Sequence, residues 1–206
     1  MVRRGRCDPA WGGRSLQCRV PSPVGHVLGG VAAGWLVAGR HRDPGVRPPG
    51  WLPHVAARWW REGAVFGALG AAPDLDLLVG AHSTYTHSVG AAAIVAGLAY
   101  VLRGRRPARW AIACGLAMAS HVLLDWLGSD TTPPIGIMAL WPFSPEFYQS
   151  PLSVFPAVSR QFGQWSFVSA NTGAAACEIV ILGPLVIAVG WWRGRRPRAS
   201  ADASDP

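Results

Sequence analysis

His121 and Asp125 stand in an apolar stretch, Met118-Ala-Ser-His-Val-Leu-Leu-Asp-Trp-Leu. On a helix, residues four apart share a face. Imidazole nitrogen and carboxylate oxygen together suit Zn²⁺, Mn²⁺ or Fe²⁺. A hydrogen bond along the helix face would use the same spacing. No Lys or Arg in the stretch neutralises Asp125, however, which favours ligands. Asp74 and Asp76 would diverge on a regular helix, but Pro73 permits a break there. One of the two then binds a metal directly while the other orients a ligand or a water. Capping a helix after Pro73 is the competing use. His87 lies in Thr86-His87-Ser88, where a helix should begin and Thr84 or Thr86 could cap it. His82 precedes it in a polar loop and is the weaker ligand candidate. His26 follows Gly25, whose missing side chain leaves room for an ion. Glu178 has no basic partner nearby. It is open as a further ligand, as a general base, or as a carboxylate snorkelling at the lipid face. His41 and His54 sit among arginines and are left out.

The elements that must position these residues are apolar. Five runs are read as helices: Val24 to Gly39, Gly63 to Gly80, Thr86 to Leu102, Trp110 to Leu127, and Ala174 to Trp192 with Pro184 inside it. A polar, Pro-rich loop spans Arg40 to Arg61, and a loop rich in Pro, Trp and Phe spans about 128 to 170. A membrane-crossing helix needs about 17 to 25 apolar residues. The fourth and fifth runs meet this, and the first three are marginal. The fifth ends Trp191-Trp192 and then arginines, an interfacial belt and anchor. Gly29, Gly30, Ala32, Ala33, Gly34 and Ala91 to Ala93 would let helices approach closely. The expectation is an all-α integral membrane bundle of about five helices. Residues 1–21 form an irregular basic segment, 22–193 the helical metal-site domain, and 194–206 a disordered tail. Buried helices of a soluble protein are the alternative.

Composition agrees. Half of the 206 residues are hydrophobic, 15% are charged, and mean hydropathy is +0.21. Soluble domains carry about 25% charged residues. The net charge of +8 could suggest nucleic acid. The arginines, though, cluster between apolar runs rather than along one face, so no nucleic-acid partner is expected. The four cysteines show no CxxC spacing, hence no disulfide framework or thiolate site. No signal peptide is read at the N-terminus. Placing the clusters at Arg40–Arg42, Arg58–Arg61, Arg103–Arg109 and Arg193–Arg198 in the cytoplasm gives one consistent multi-pass topology, with the C-terminus inside. Only the arginines before residue 20 disagree: either the rule is overridden there or the true start lies near Val20. In this topology His26, Asp74, Asp76, His82, His87, His121, Asp125 and Glu178 all fall at the outer, extracytoplasmic end. Ionisable residues within membranes are costly and pair or serve function. A shared cation explains the group best.

The order of motifs resembles the YdjM-like family of bacterial inner-membrane, metal-dependent hydrolases over roughly residues 22 to 180. These motifs are Gly25-His26, Pro73-Asp74-Leu75-Asp76, His82 with Thr86-His87-Ser88, Ser120-His121-x-x-x-Asp125 and Leu140-Trp141-Pro142-Phe143. Members usually carry His-Arg-Gly before the Thr-His-Ser, whereas His82 is followed here by Ser83-Thr84-Tyr85. The family is itself similar to zinc-dependent phospholipase C and P1 nuclease, which hold zinc clusters with an HxxxD pair. Their later His-x-x-x-Glu pair has no counterpart, since no His follows His121. The resemblance implies hydrolysis of a phosphoester or phospholipid by a metal-activated water. The expected ligands are His26, Asp74, His82, His87, His121 and Asp125, and Asp76 or Glu178 accepts the proton. The expected cofactor is one or two Zn²⁺ ions, with Mn²⁺ or Fe²⁺ as alternatives, and the expected partners are membrane lipids. Leu140–Phe143 is expected to form an apolar lid or interfacial anchor. A metal-binding membrane scaffold or a transporter-like protein is the rival reading.

Overall fold

The computed structural model describes residues 21–38, 51–78, 82–103, 107–130, 134–156, 158 and 165–194. The basic segment before residue 21, His41 and the tail after residue 194 lie outside these. Five helices carry the fold: α1 (Pro23–Ala38), α2 (Trp51–Ala71), α3 (Val89–Arg103), α4 (Pro107–Leu127) and α5 (Trp165–Gly194). A 3₁₀ segment, Ala72–Leu78, follows α2 directly. No strand occurs among the described residues. Two isolated bridges, Gly128 with Phe155 and Ile137 with Tyr148, order the α4–α5 connection.

Two helix starts differ most from the sequence reading. α2 starts at Trp51, inside the segment read as loop. Its Pro53 sits in the first turn, where a missing N–H costs no intrahelical bond. The Ala, Arg and Glu that follow are good helix formers. α5 starts at Trp165, about nine residues before its apolar run, because Ser169, Asn171 and Thr172 extend the helix without extending its hydropathy.

α4 packs against α1, α2 and α3, while α1 packs against α2, α4 and α5. The α1–α2 crossing is close because glycines meet there. A methyl added to Gly30 would collide with the Phe66 carbonyl and lie 2.9 Å from Gly70 Cα. One added to Gly70 would collide with the His26 carbonyl. Both obstacles are backbone, which cannot swing aside. Gly70→Ala is therefore expected to cost about 3 kcal/mol, the upper end for overpacking. Thermal unfolding in detergent measures this, and an unchanged transition would refute the close crossing. Below the crossing, Phe66 is fully buried against Ala113, Cys114 and Ala117.

α4 and α5 are long and apolar enough to cross a membrane; α1 and α3 are shorter apolar helices. Only 22% of the apolar stretch of α5 is buried inside the protein, against 56% for α4. Val180, Leu185 and Ile187 of α5 and Leu98, Val101 and Leu102 of α3 face outward. So many exposed apolar side chains on two helices are uncommon on soluble monomers and suit contact with lipid.

Candidate metal centre

The segment between α2 and α3 carries four of the predicted site residues, Asp74, Asp76, His82 and His87. Pro73 disfavours helical backbone at the residue before it, so α2 gives way to the 3₁₀ turn that presents Asp74 and Asp76. Ser83 then takes a left-handed conformation, φ 65°. Its carbonyl accepts the Met138 N–H at 3.1 Å. Ser88, rather than Thr84 or Thr86, caps α3: the Ala91 N–H donates to Ser88 Oγ at 3.1 Å. The next two free donors of that helix end, Val89 and Gly90 N–H, reach the carbonyls of Ala139 and Trp141 at 2.9 Å each. Trp141 packs edge-on against Tyr85, 5.5 Å between centroids. The Leu140–Phe143 motif thus clamps the start of α3 beside His87. Phe143, 87% exposed, and Leu140, 45% exposed, keep the character of an anchor.

Five predicted ligands from four elements converge. Asp125 lies at the centre: its carboxylate oxygens are 3.3 Å from His26 Nε2, 3.3 Å from His87 Nε2 and 3.1 Å from His121 Nε2. Asp74 lies 3.8–3.9 Å from the same three nitrogens. The side chains of His26, His87, His121 and Asp125 are fully buried, whereas Asp74 is 18% exposed. Single donor atoms of His26, His121 and Asp125 lie within 4.8 Å of one another, as do those of Asp74, His82 and His87.

Neighbours aim the rings. His121 Nδ1–H donates to the Gly70 carbonyl at 2.7 Å, which leaves Nε2 as a lone-pair donor facing Asp125. His87 Nδ1 lies 3.1 Å from Asp76 Oδ2 and is oriented in the same way. His26 is held by stacking on His121, at 3.8 Å between centroids. Asp76 itself is fully engaged. His82 Nδ1 lies 2.8 Å from its Oδ1, and Thr86 Oγ1 donates to its Oδ2 at 2.7 Å. Burial alone would raise the Asp76 carboxyl, but contacts with His87, His82 and Thr86 hold it down to about 2. Burial likewise opposes a charged His87, yet Asp74 and Asp76 outweigh it and lift the ring to about 9. The local field favours a positive charge. Of the two roles left open for the Asp74/Asp76 pair, Asp76 has the orienting one. His82, read as a ligand, contacts Asp76 through Nδ1.

Glu178 lies at the same end of the bundle, bonded to the start of α1 beside His26. It is fully buried, which excludes lipid-face snorkelling. Its carboxylate accepts the Ser22 N–H at 2.6 Å, the Gly25 N–H at 2.9 Å and the Ser22 hydroxyl. Both oxygens therefore serve the N-terminus of α1, whose first N–H groups have no partner within the helix. Gly25 makes room for this carboxylate rather than for an ion: a methyl there would lie 2.8 Å from Glu178 Cδ. Glu178→Gln should thus destabilise the protein by roughly 1–3 kcal/mol, the loss of a charge-assisted bond, with metal content unchanged. Loss of metal at unchanged stability would return Glu178 to the site.

The donor set fits a cation. The buried atoms His26 Nδ1 and Nε2, His87 Nε2, His121 Nε2 and both Asp125 oxygens have no hydrogen-bond partner. Each such atom left unpaired costs about 1–3 kcal/mol. Imidazole nitrogens and carboxylate oxygens crowded around one point are what a divalent ion satisfies.

Fold and site together define an all-helical bundle with an apolar outer surface and a buried His/Asp cluster at one end. The YdjM inner membrane protein family matches residues 22–196, and the chain belongs to that family. The match runs from the start of α1 through the end of α5, so every residue of the cluster lies inside it. No curated protein and no solved structure matches the chain, and the likeness to zinc phospholipase C and P1 nuclease gains no support from them.

Proposed function

We propose that this chain is a multi-pass membrane hydrolase that cleaves a phosphoester at a divalent-metal centre on the extracytoplasmic side. The observation that carries this reading is the convergence of three buried Nε2 atoms and the Asp125 carboxylate, none with a hydrogen-bond partner, beside the part-exposed Asp74. When bound, the ion (Zn²⁺ by preference, one or two per chain, Mn²⁺ or Fe²⁺ otherwise) supplies Lewis acidity that makes a water nucleophilic near pH 7 and polarises a phosphoryl oxygen. His26, His87, His121 and Asp125 hold it, and Gly70 and Asp76 keep two of the rings aimed. Hydrolysis breaks the bond between phosphorus and the leaving alcohol's oxygen and forms one to the oxygen of water. Asp74, on the open side of the cluster, takes the proton that water loses, and the leaving oxygen regains one. Asp76 and Glu178 are less suited to that task, because fixed donors occupy their carboxylates. The sidedness rests on Arg103, Arg109 and Arg193, which lie at the helix ends away from the cluster.

The test uses protein purified in detergent, stripped by chelator and reloaded with Zn²⁺, Mn²⁺ or Fe²⁺. Hydrolysis of a soluble phosphodiester or of phospholipid should return with metal and stay absent in His121→Ala. No hydrolysis with any ion would leave the metal-binding scaffold as the reading.

A further inference from the structure

We infer that the substrate is membrane-borne: an amphiphile whose phosphoester enters the cluster from the bilayer surface. This rests on the reading of the cluster as a hydrolytic centre and decides between the soluble and lipid esters that the reading leaves open.

Among the described residues, the cluster is exposed on one side. Its inner side chains are fully buried, and the exposed edges belong to Asp74 (18%) and His82 (16%), both on the segment between α2 and α3. That same segment turns Leu75, Leu78 and Tyr85 outward, and Leu78 is 83% exposed. Leu75 is the direct neighbour of Asp74. The α4–α5 connection, which clamps the start of α3 beside His87, adds the almost wholly exposed Phe143. Leu152 is also exposed, two residues from Val154, whose N–H donates to the last carbonyl of α4 at 2.9 Å. None of these five residues lies in one of the five helices, and all stand at the end of the bundle that holds the site.

An opening meant for a water-soluble ester would be rimmed by polar side chains. Here the exposed apolar side chains of Leu75, Leu78 and Tyr85 stand on the same segment as that edge. Apolar side chains projecting from the ends of membrane helices settle in the interfacial layer. That places Asp74 and His82 at head-group level, where an ester on a lipid anchor is concentrated and a soluble ester is not. Leu78 and Phe143 set delivery and specificity; they do not touch the reacting atoms.

Two readouts on the full chain test this. The first uses nitroxide labels at Leu78→Cys and Phe143→Cys, with Cys7, Cys18, Cys114 and Cys177 replaced by Ala, in nanodiscs of phosphatidylethanolamine and phosphatidylglycerol. Collision with oxygen, enriched in lipid, should exceed collision with a water-soluble nickel chelate at both positions. Water-like accessibility at both overturns the inference. The second measures kcat/KM of metal-loaded Leu78→Glu/Phe143→Glu protein on phosphatidylglycerol vesicles and on bis(p-nitrophenyl) phosphate. The lipid value should fall about tenfold or more as interfacial contact is lost, with the soluble ester unaffected. An equal effect on both substrates overturns the inference alone. Wild-type protein that hydrolyses neither overturns the catalytic reading and this inference with it.

Discussion

Stripping divalent ions from the wild-type chain lowers its unfolding temperature and leaves Asp125→Ala where it was. An ion that binds only the folded state stabilises it by RT ln(1 + [L]/Kd), about 4 kcal/mol when the free ion stands at 1,000 times Kd. For a chain of this length that is on the order of 10 °C. The folded state gains so much because its donors are already gathered. Asp125 lies within 3.3 Å of three imidazole nitrogens contributed by α1, α4 and the segment before α3. In the unfolded chain His26, His87 and His121 are far apart in sequence. Asp125→Ala removes the carboxylate common to all three contacts, so ion and chelator should then act alike. Detergent-solubilised protein, scanned with and without chelator, measures both transitions. A shift of equal size in the variant would mean that the ion binds elsewhere.

The second large effect is at the other end of the bundle. Arg193 Nη2 lies 2.7 Å from Glu62 Oε2, with the two side chains 1% and 8% exposed. The Arg193 guanidinium also lies 5.5 Å from the Trp35 ring and 5.7 Å from the Trp59 ring. α5 has little of its surface inside the protein, so its fixed points matter. Glu178 ties it to the start of α1, and Arg193 ties its far end to α2. Breaking a buried pair strands one charge in a medium of low polarity, which costs about 3–5 kcal/mol. Glu62→Ala should therefore destabilise the chain by that amount, while Glu62→Leu combined with Arg193→Leu should cost less than either change alone. Denaturant or thermal unfolding of the single and double variants decides this. A double variant as damaged as the sum of the singles would show that the charges do not act as a pair.

The legible part of the site was what helix periodicity encodes. His121 and Asp125 share a face by spacing alone. Asp74 was marked by Pro73, which disfavours helical backbone at the residue before it, and His26 and His87 stood out as imidazoles at the ends of apolar runs. The α1–α2 crossing was half visible: Gly29 and Gly30 stood out in α1, and the matching Gly63, Gly67 and Gly70 at helical spacing in α2 were a signal passed over. With it, the Gly70 carbonyl that aims His121 could have been sought. The roles of Glu178 and Glu62 were not legible, because their partners lie 153 and 131 residues away. No local pattern distinguishes a carboxylate that caps a distant helix from one that takes a proton. Trp141 was hidden for the same reason: its carbonyl serves Gly90, and nothing in Leu-Trp-Pro-Phe announces an acceptor. The start of α2 was missed because its arginines and Pro53 marked a loop by charge and composition, although neither prevents a helix there.

The central claim is that His26, His87, His121 and Asp125 form one metal centre with Asp74 beside it. Elemental analysis of the purified chain tests it most directly, in the wild type and in His121→Ala/Asp125→Ala, after equal exposure to Zn²⁺, Mn²⁺ and Fe²⁺ and removal of loosely held ions. The account predicts one or two ions per wild-type chain and background in the variant, with both proteins folded by circular dichroism. Equal metal in the two proteins, or none in a folded wild type, would contradict it.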